Sequence, residues 1–173
     1  MEYRTLSGTG AQVSRLCLGT MTFGSQVDEA DGIRMLHRAL DAGINFVDTA
    51  DIYNAGASET IVGKALQGRR DGVVLLSKVR WRVGPDEHKD QGLSRWHILR
   101  GVEASLKRLQ TDCLDILILH CPDYATPLEE SLAAADLLVR QGKVMYIGMS
   151  AAHSGSVNAK ASPRRWSPKS STI

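Results

Sequence analysis

The chain has 173 residues, 43% of them apolar and 23% charged, with a formal net charge of +2. That length suits one domain with a buried core, and no apolar run nears the roughly 20 residues that a membrane-spanning helix needs. Cys17, Cys113 and Cys121 show no C-x-x-C spacing, which matches neither a disulfide framework nor a zinc site.

With three cysteines and no basic-then-apolar leader in "MEYRTLSGTG", a reducing cytoplasm is the expected location. In chain order, "SRLCLGTMTFG" supplies a first strand near Leu16 to Gly19. The segment "DEADGIRMLHRALDAG" reads as an amphipathic helix, with Asp28 as cap, Ile33, Leu36 and Leu40 on one face, and Gly43 as the stop. A strand follows in "INFVDTA". The next helix is "SETIVGKALQG", capped by Ser58, with Ile61, Val62, Ala65 and Leu66 inward and Gly68 after it. "VVLLSKV" is the next strand and "SRWHILRGVEASLKRLQ" the next helix, from Ser94, with Ile98, Val102 and Leu109 inward. After the strand "LDILILH" comes "TPLEESLAAADLLVRQG", where Thr126 as cap, Pro127 at the first helical position and Glu129 three residues on make a capping-box signature before Gly142. The last strand is "VMYIGMS".

These strands are nearly continuously apolar, as strands covered on both faces are. Five strands alternating with four helices argue for a parallel sheet of βα units. A dinucleotide-binding doubly wound sheet is the weaker reading, because Gly8 and Gly10 follow a polar turn and Val13 stands where a third glycine belongs. In a (β/α)8 barrel the active site is built at the carboxyl ends of the strands. Here Asp48, Lys78, His120 and Ser150 close four of them.

One ionisable residue at a strand end is commonplace. Three of different type at successive ends would converge on a single pocket and interact. Tyr53 lies just beyond Asp48. A phenol is a weak acid that works near neutrality only when its anion is favoured, as by an ammonium held in place by a carboxylate. Lys78 and Asp48 are candidates for those two jobs, and His120 for orienting a carbonyl.

With "GINFVDTADIYNAGASETIVGKAL", "LSKV", "LDILILHCPD", "TPLEESLAA" and "GKVMYIGMS", the sequence resembles the aldo-keto reductase superfamily from about Tyr3 to Ser150. It looks most like the aryl-alcohol dehydrogenase-like branch, which also resembles potassium-channel beta subunits. The resemblance implies NADPH-dependent reduction of a small carbonyl substrate, with Tyr53 as general acid, Asp48 and Lys78 as its ion pair and His120 as the orienting group. It further implies cofactor contacts at Gly19, Thr20, Asp48 and Ser150, Ser150 toward the nicotinamide carboxamide. Asn54 replaces a glycine common in the family, and a left-handed turn suits Asn there.

After Ser150 the family continues with Asn, further βα units and the rest of the cofactor site, whereas this sequence has Ala151. Residues 151–173 hold Lys160, Arg164, Arg165 and Lys169 and no acidic residue, so residues 1–150 carry a net charge of −2. With six serines and two prolines, this tail is expected to be disordered, and no nucleic-acid or membrane partner is expected. The expectation is a truncated barrel of about five strands out of eight in residues 1–150, with unpaired edges that favour self-association. The rival is a non-catalytic fragment of the same fold or an interaction protein. A serine hydrolase built on "GMSAA" lacks an acid after Ser150. A metal site on His120, Cys121 and Asp123 is disfavoured because adjacent side chains on an extended chain point apart.

Overall fold

A computed structural model describes residues 1–150, and the expected tail from Ala151 lies outside the described residues. The chain begins with a short antiparallel hairpin, β1 (Tyr3–Thr5) and β2 (Gln12–Ser14). Then come β3 (Cys17–Gly19), α1 (Glu29–Asp41), β4 (Phe46–Asp48), α2 (Ala57–Ala65), β5 (Val74–Val79), α3 (Arg95–Leu109), β6 (Leu114–Leu119), α4 (Leu128–Arg140) and β7 (Val144–Met149). Strands β3 to β7 form one parallel sheet in chain order. Because each crossover returns to the adjacent position, all five carboxyl ends lie along one edge.

The five strands and four helices stand where the apolar pattern puts them. The hairpin escaped that pattern, since its strands are short and mostly exposed. Along the sheet, Val47, Leu75, Ser77, Val79, Leu117 and Leu119 are buried, and the apolar members of this row join the core with Ile61, Ile98, Val102 and Leu138 of the helices. The alternate row carries Phe46, Asp48, Leu76 and Ile118, each partly open to solvent. Burial on both faces therefore holds only for part of the sheet. At the edge, β7 leaves Met145, Tyr146, Ile147 and Met149 exposed among the described residues.

Two caps differ from expectation because another acceptor captures the hydroxyl, a tertiary one for Ser58 and a local one for Thr126. Ser58 lies inside α2, fully buried, and donates to the Thr20 carbonyl at 2.8 Å, while Gly56 caps that helix. Thr126 donates to Asp123 Oδ2 at 2.8 Å, and Pro127 takes the cap position of α4. Asp28 and Ser94 cap α1 and α3 as expected, accepting from the amides of Asp31 and His97.

Helix α2 packs tightly on α3. A methyl group added at Gly63 would come within 2.6 Å of the Arg108 carbonyl oxygen, closer than atoms tolerate. Beneath this crossing Glu59 is fully buried. It accepts from Ser77 Oγ at 2.5 Å and from Arg108 Nε at 2.7 Å, which ties α2 to both β5 and α3.

Candidate active site

The site is assembled at the carboxyl edge of the sheet. Asp48 ends β4, Lys78 is the penultimate residue of β5, His120 follows β6 and Ser150 follows β7. The register places Gly19 beside Asp48 and Lys78 beside Ile118. His120 and Ser150 continue the ladder, with amides donating to Val79 O at 3.1 Å and Leu119 O at 3.0 Å.

Lys78 is the hub. Its side chain is mostly buried, and Nζ donates to Asp48 Oδ1, to the Thr49 carbonyl at 2.8 Å and to the Tyr53 hydroxyl oxygen at 3.0 Å. An ammonium has three protons and no lone pair, so these partners exhaust its donors and fix its position. The Tyr53 oxygen is necessarily the acceptor in this bond. Among the described residues this is the hydroxyl's one hydrogen bond, which leaves the phenolic proton to be donated elsewhere.

Tyr53 is held by an unusual turn. Asn54, Ala55 and Gly56 all have positive φ, 51°, 54° and 91°, a left-handed path that Asn tolerates and glycine favours. Asn54 Nδ2 secures it by donating to the carbonyls of Met21 at 2.9 Å and Phe23 at 2.7 Å. The left-handed turn expected at Asn54 is thus present and extends through Gly56.

His120 stands edge-on to the phenol ring, with centroids 6.2 Å apart and planes at 82°. Burial, then the Lys78 ammonium, holds its pKa below the usual histidine range against the pull of Asp48, which favours the neutral ring. Its Nδ1 is buried without a partner.

Among the residues expected at a cofactor, Gly19 borders open space, where an added Cβ would meet nothing within 4 Å. Asp48 and Ser150 are partly exposed. Space and polar groups at this edge therefore fit one end of a nicotinamide. Thr20 is different: it is fully buried, and its hydroxyl donates to Asp48 O at 3.1 Å and pairs with Ser58 Oγ at 2.8 Å. It braces the main chain of Asp48.

Sequence reasoning missed Asp51, two residues before Tyr53. Only 1% of its surface is exposed, and apart from the approach of the adjacent Ile52 amide neither carboxylate oxygen meets a donor. Burial, reinforced by the like charge of Glu59, pushes its pKa up to about 7, while the Ile52 amide, Arg108 and Lys78 pull the other way. No sequence signal distinguishes it from an ordinary loop aspartate. Because the folded state binds this proton more tightly than the unfolded chain, its stabilising effect is complete below about pH 4 and lost as pH rises through about 7. The expected result is a stability that falls from pH 4 to pH 8 by at most about 4 kcal/mol on account of Asp51. Urea melts of the Asp51→Asn variant should lack this component, and an unchanged slope would assign it to other groups.

Comparison with known proteins gives concordant results. The family model described as "Aldo/keto reductase family" matches residues 15–166, a span that runs past the Ser150–Ala151 boundary. An uncharacterized oxidoreductase of Bacillus subtilis strain 168, YrpG, is 48% identical over 87% of this chain and 49% of its own length. A probable voltage-gated potassium channel subunit beta of Oryza sativa subsp. japonica is 40% identical over 87% of this chain and 46% of its own. Among solved structures, the holo form of aldo-keto reductase AKR11C1 from Bacillus halodurans superposes with a TM-score of 0.78 at 36% identity, covering 88% of this chain and 51% of that one. The chain thus spans about half the length of the relatives it matches. Its five-stranded sheet and four helices correspond to part of a (β/α)8 barrel.

Proposed function

The chain belongs to the aldo/keto reductase family, and on that footing we propose that it reduces aldehydes or ketones to alcohols with NADPH, Tyr53 acting as general acid. The observation that carries this reading is the one-way hydrogen bond from Lys78 to the Tyr53 oxygen. It keeps the phenolic proton free, and it places a fixed positive charge where negative charge develops as the proton leaves. Asp48 holds that ammonium in place. The neutral His120 ring, beside the phenol, orients the carbonyl oxygen for protonation.

No side chain donates hydride, and a nicotinamide held against Gly19, the rim of Asp48 and Ser150 would supply it. The NADPH form, the carbonyl class and the role of Ser150 toward the carboxamide rest on the family pattern carried by these residues.

Titration of the full chain with NADPH tests the proposal. Saturable quenching of tryptophan fluorescence is expected, followed by oxidation of the cofactor when an aryl aldehyde is added. If saturating NADPH leaves the fluorescence unchanged, the catalytic reading fails and the chain is a non-catalytic member of the family.

A further inference from the structure

Gly56, the cap of α2, also ends the turn that presents Tyr53, and it is buried. A Cβ built on it would lie 2.7 Å from Arg108 Cδ and 2.8 Å from Arg108 Nε, so the Arg108 side chain packs directly against the glycine backbone. With φ at 91° and no room for a methyl group, the position suits glycine alone. Arg108 comes from the last turn of α3. Its guanidinium is held by donation from Nε to Glu59 Oε2 at 2.7 Å and from Nη2 to Ser105 Oγ at 3.2 Å. It therefore backs the Tyr53 turn from α3, while Asn54 fastens the same turn to the loop after β3.

The other oxygen of Glu59 accepts from Ser77 Oγ at 2.5 Å, and Ser77 is the residue before Lys78 on β5. One fully buried carboxylate is thus tied to the strand that carries the Lys78 ammonium and to the side chain beneath the turn that carries the phenol. Between those two groups lies the 3.0 Å hydrogen bond from Lys78 Nζ to the Tyr53 oxygen. Neither Glu59 nor Arg108 is a hydrogen-bond partner of either group, so their influence on proton transfer runs through position. A buried pair gains little stability over apolar residues of similar volume. What apolar side chains lack is the directional hydrogen bonding that fixes one element against another.

We propose that the Glu59–Arg108 pair consists of positioning residues for the reaction, setting the Lys78–Tyr53 hydrogen bond through Ser77 on one side and Gly56 on the other. The inference rests on the catalytic reading of Tyr53. Its consequence falls on kcat, since a misplacement of about 1 Å can cost about 10²-fold in rate.

The test uses the full chain carrying Glu59→Leu/Arg108→Leu, which strands no charge. A kcat at least about tenfold below the parent is expected, with NADPH affinity within about twofold. Hydrogen exchange is followed at the amides of Asp51, Tyr53 and Ala55, which donate to the carbonyls of Lys78, Ala50 and Ile52. Relative to the β6 amides, these should exchange at least about threefold faster than in the parent. A role in stability alone lowers protection throughout and leaves that ratio unchanged. Exchange needs no turnover: an inactive parent would end the catalytic reading by itself, and the ratio would still decide whether the pair holds the turn. Should the double variant not fold, Arg108→Lys, which keeps a charge for Glu59 but not the guanidinium against Gly56, should raise the same ratio by at least about threefold. A smaller loss of kcat in a folded, active double variant, or a smaller rise in the exchange ratio in whichever variant folds, would overturn the proposal.

Discussion

Replacing Tyr53 by phenylalanine is expected to slow NADPH-dependent aldehyde reduction by about 10²–10⁴-fold, the range usual for loss of a positioned general acid. The substitution removes one oxygen and keeps the ring, so the edge-on contact with His120 survives. Lys78 retains Asp48 and the Thr49 carbonyl as partners. Cofactor affinity should accordingly stay within about twofold of the parent, with the loss confined to kcat, as befits a group that acts in the transition state. Steady-state rates together with a fluorescence titration separate the two. A Tyr53→Phe protein that turns over at the parental rate would remove the phenol from the mechanism.

The largest structural effect is expected at Glu59. Glu59→Ala leaves the half-buried guanidinium of Arg108 without its carboxylate and the buried hydroxyl of Ser77 without its acceptor. Breaking a buried ion pair by removing one partner costs about 3–5 kcal/mol, a large share of the roughly 5–15 kcal/mol that stabilises a typical domain. Glu59→Gln keeps one acceptor oxygen for Arg108 Nε and turns an NH2 toward Ser77, whose hydroxyl can accept instead, so it should cost about 1–3 kcal/mol. The double replacement Glu59→Leu/Arg108→Leu should recover part of the loss, since it strands no charge. Equilibrium urea denaturation measures all three. A loss below about 0.5 kcal/mol in Glu59→Ala would mean that the pair contributes specificity without stability.

Strand and helix order was legible because the sheet is parallel and each βα unit announces itself by a change of apolar period. Asp48, Lys78 and His120 were legible for a related reason: each interrupts or ends an apolar strand, and a parallel sheet gathers such ends on one edge. What stayed hidden depends on partners distant in the chain. Ser58 looks like a helix cap until Thr20 is brought against it. Thr126 is the exception, since its hydroxyl goes to Asp123, only three residues before it. Glu59 and Asp51 are unremarkable polar residues beside a helix start, and only the arrival of Arg108 and Ser77 at one of them, and of no side-chain donor at the other, separates their fates. Apolar periodicity says which side of an element is buried; it carries no information about a polar group buried with it.

The two bonds from Asn54 to the carbonyls of Met21 and Phe23 make mechanical partners of the loop after β3 and the turn that presents Tyr53. Neither carbonyl contributes chemistry, yet the loop cannot swing outward without unlatching the turn. The steadiness of the phenol is therefore borrowed from a segment far away in the chain. Local loosening of that segment, by heat, denaturant or a substitution in its backbone, would reach the Tyr53 hydroxyl before the sheet itself began to melt.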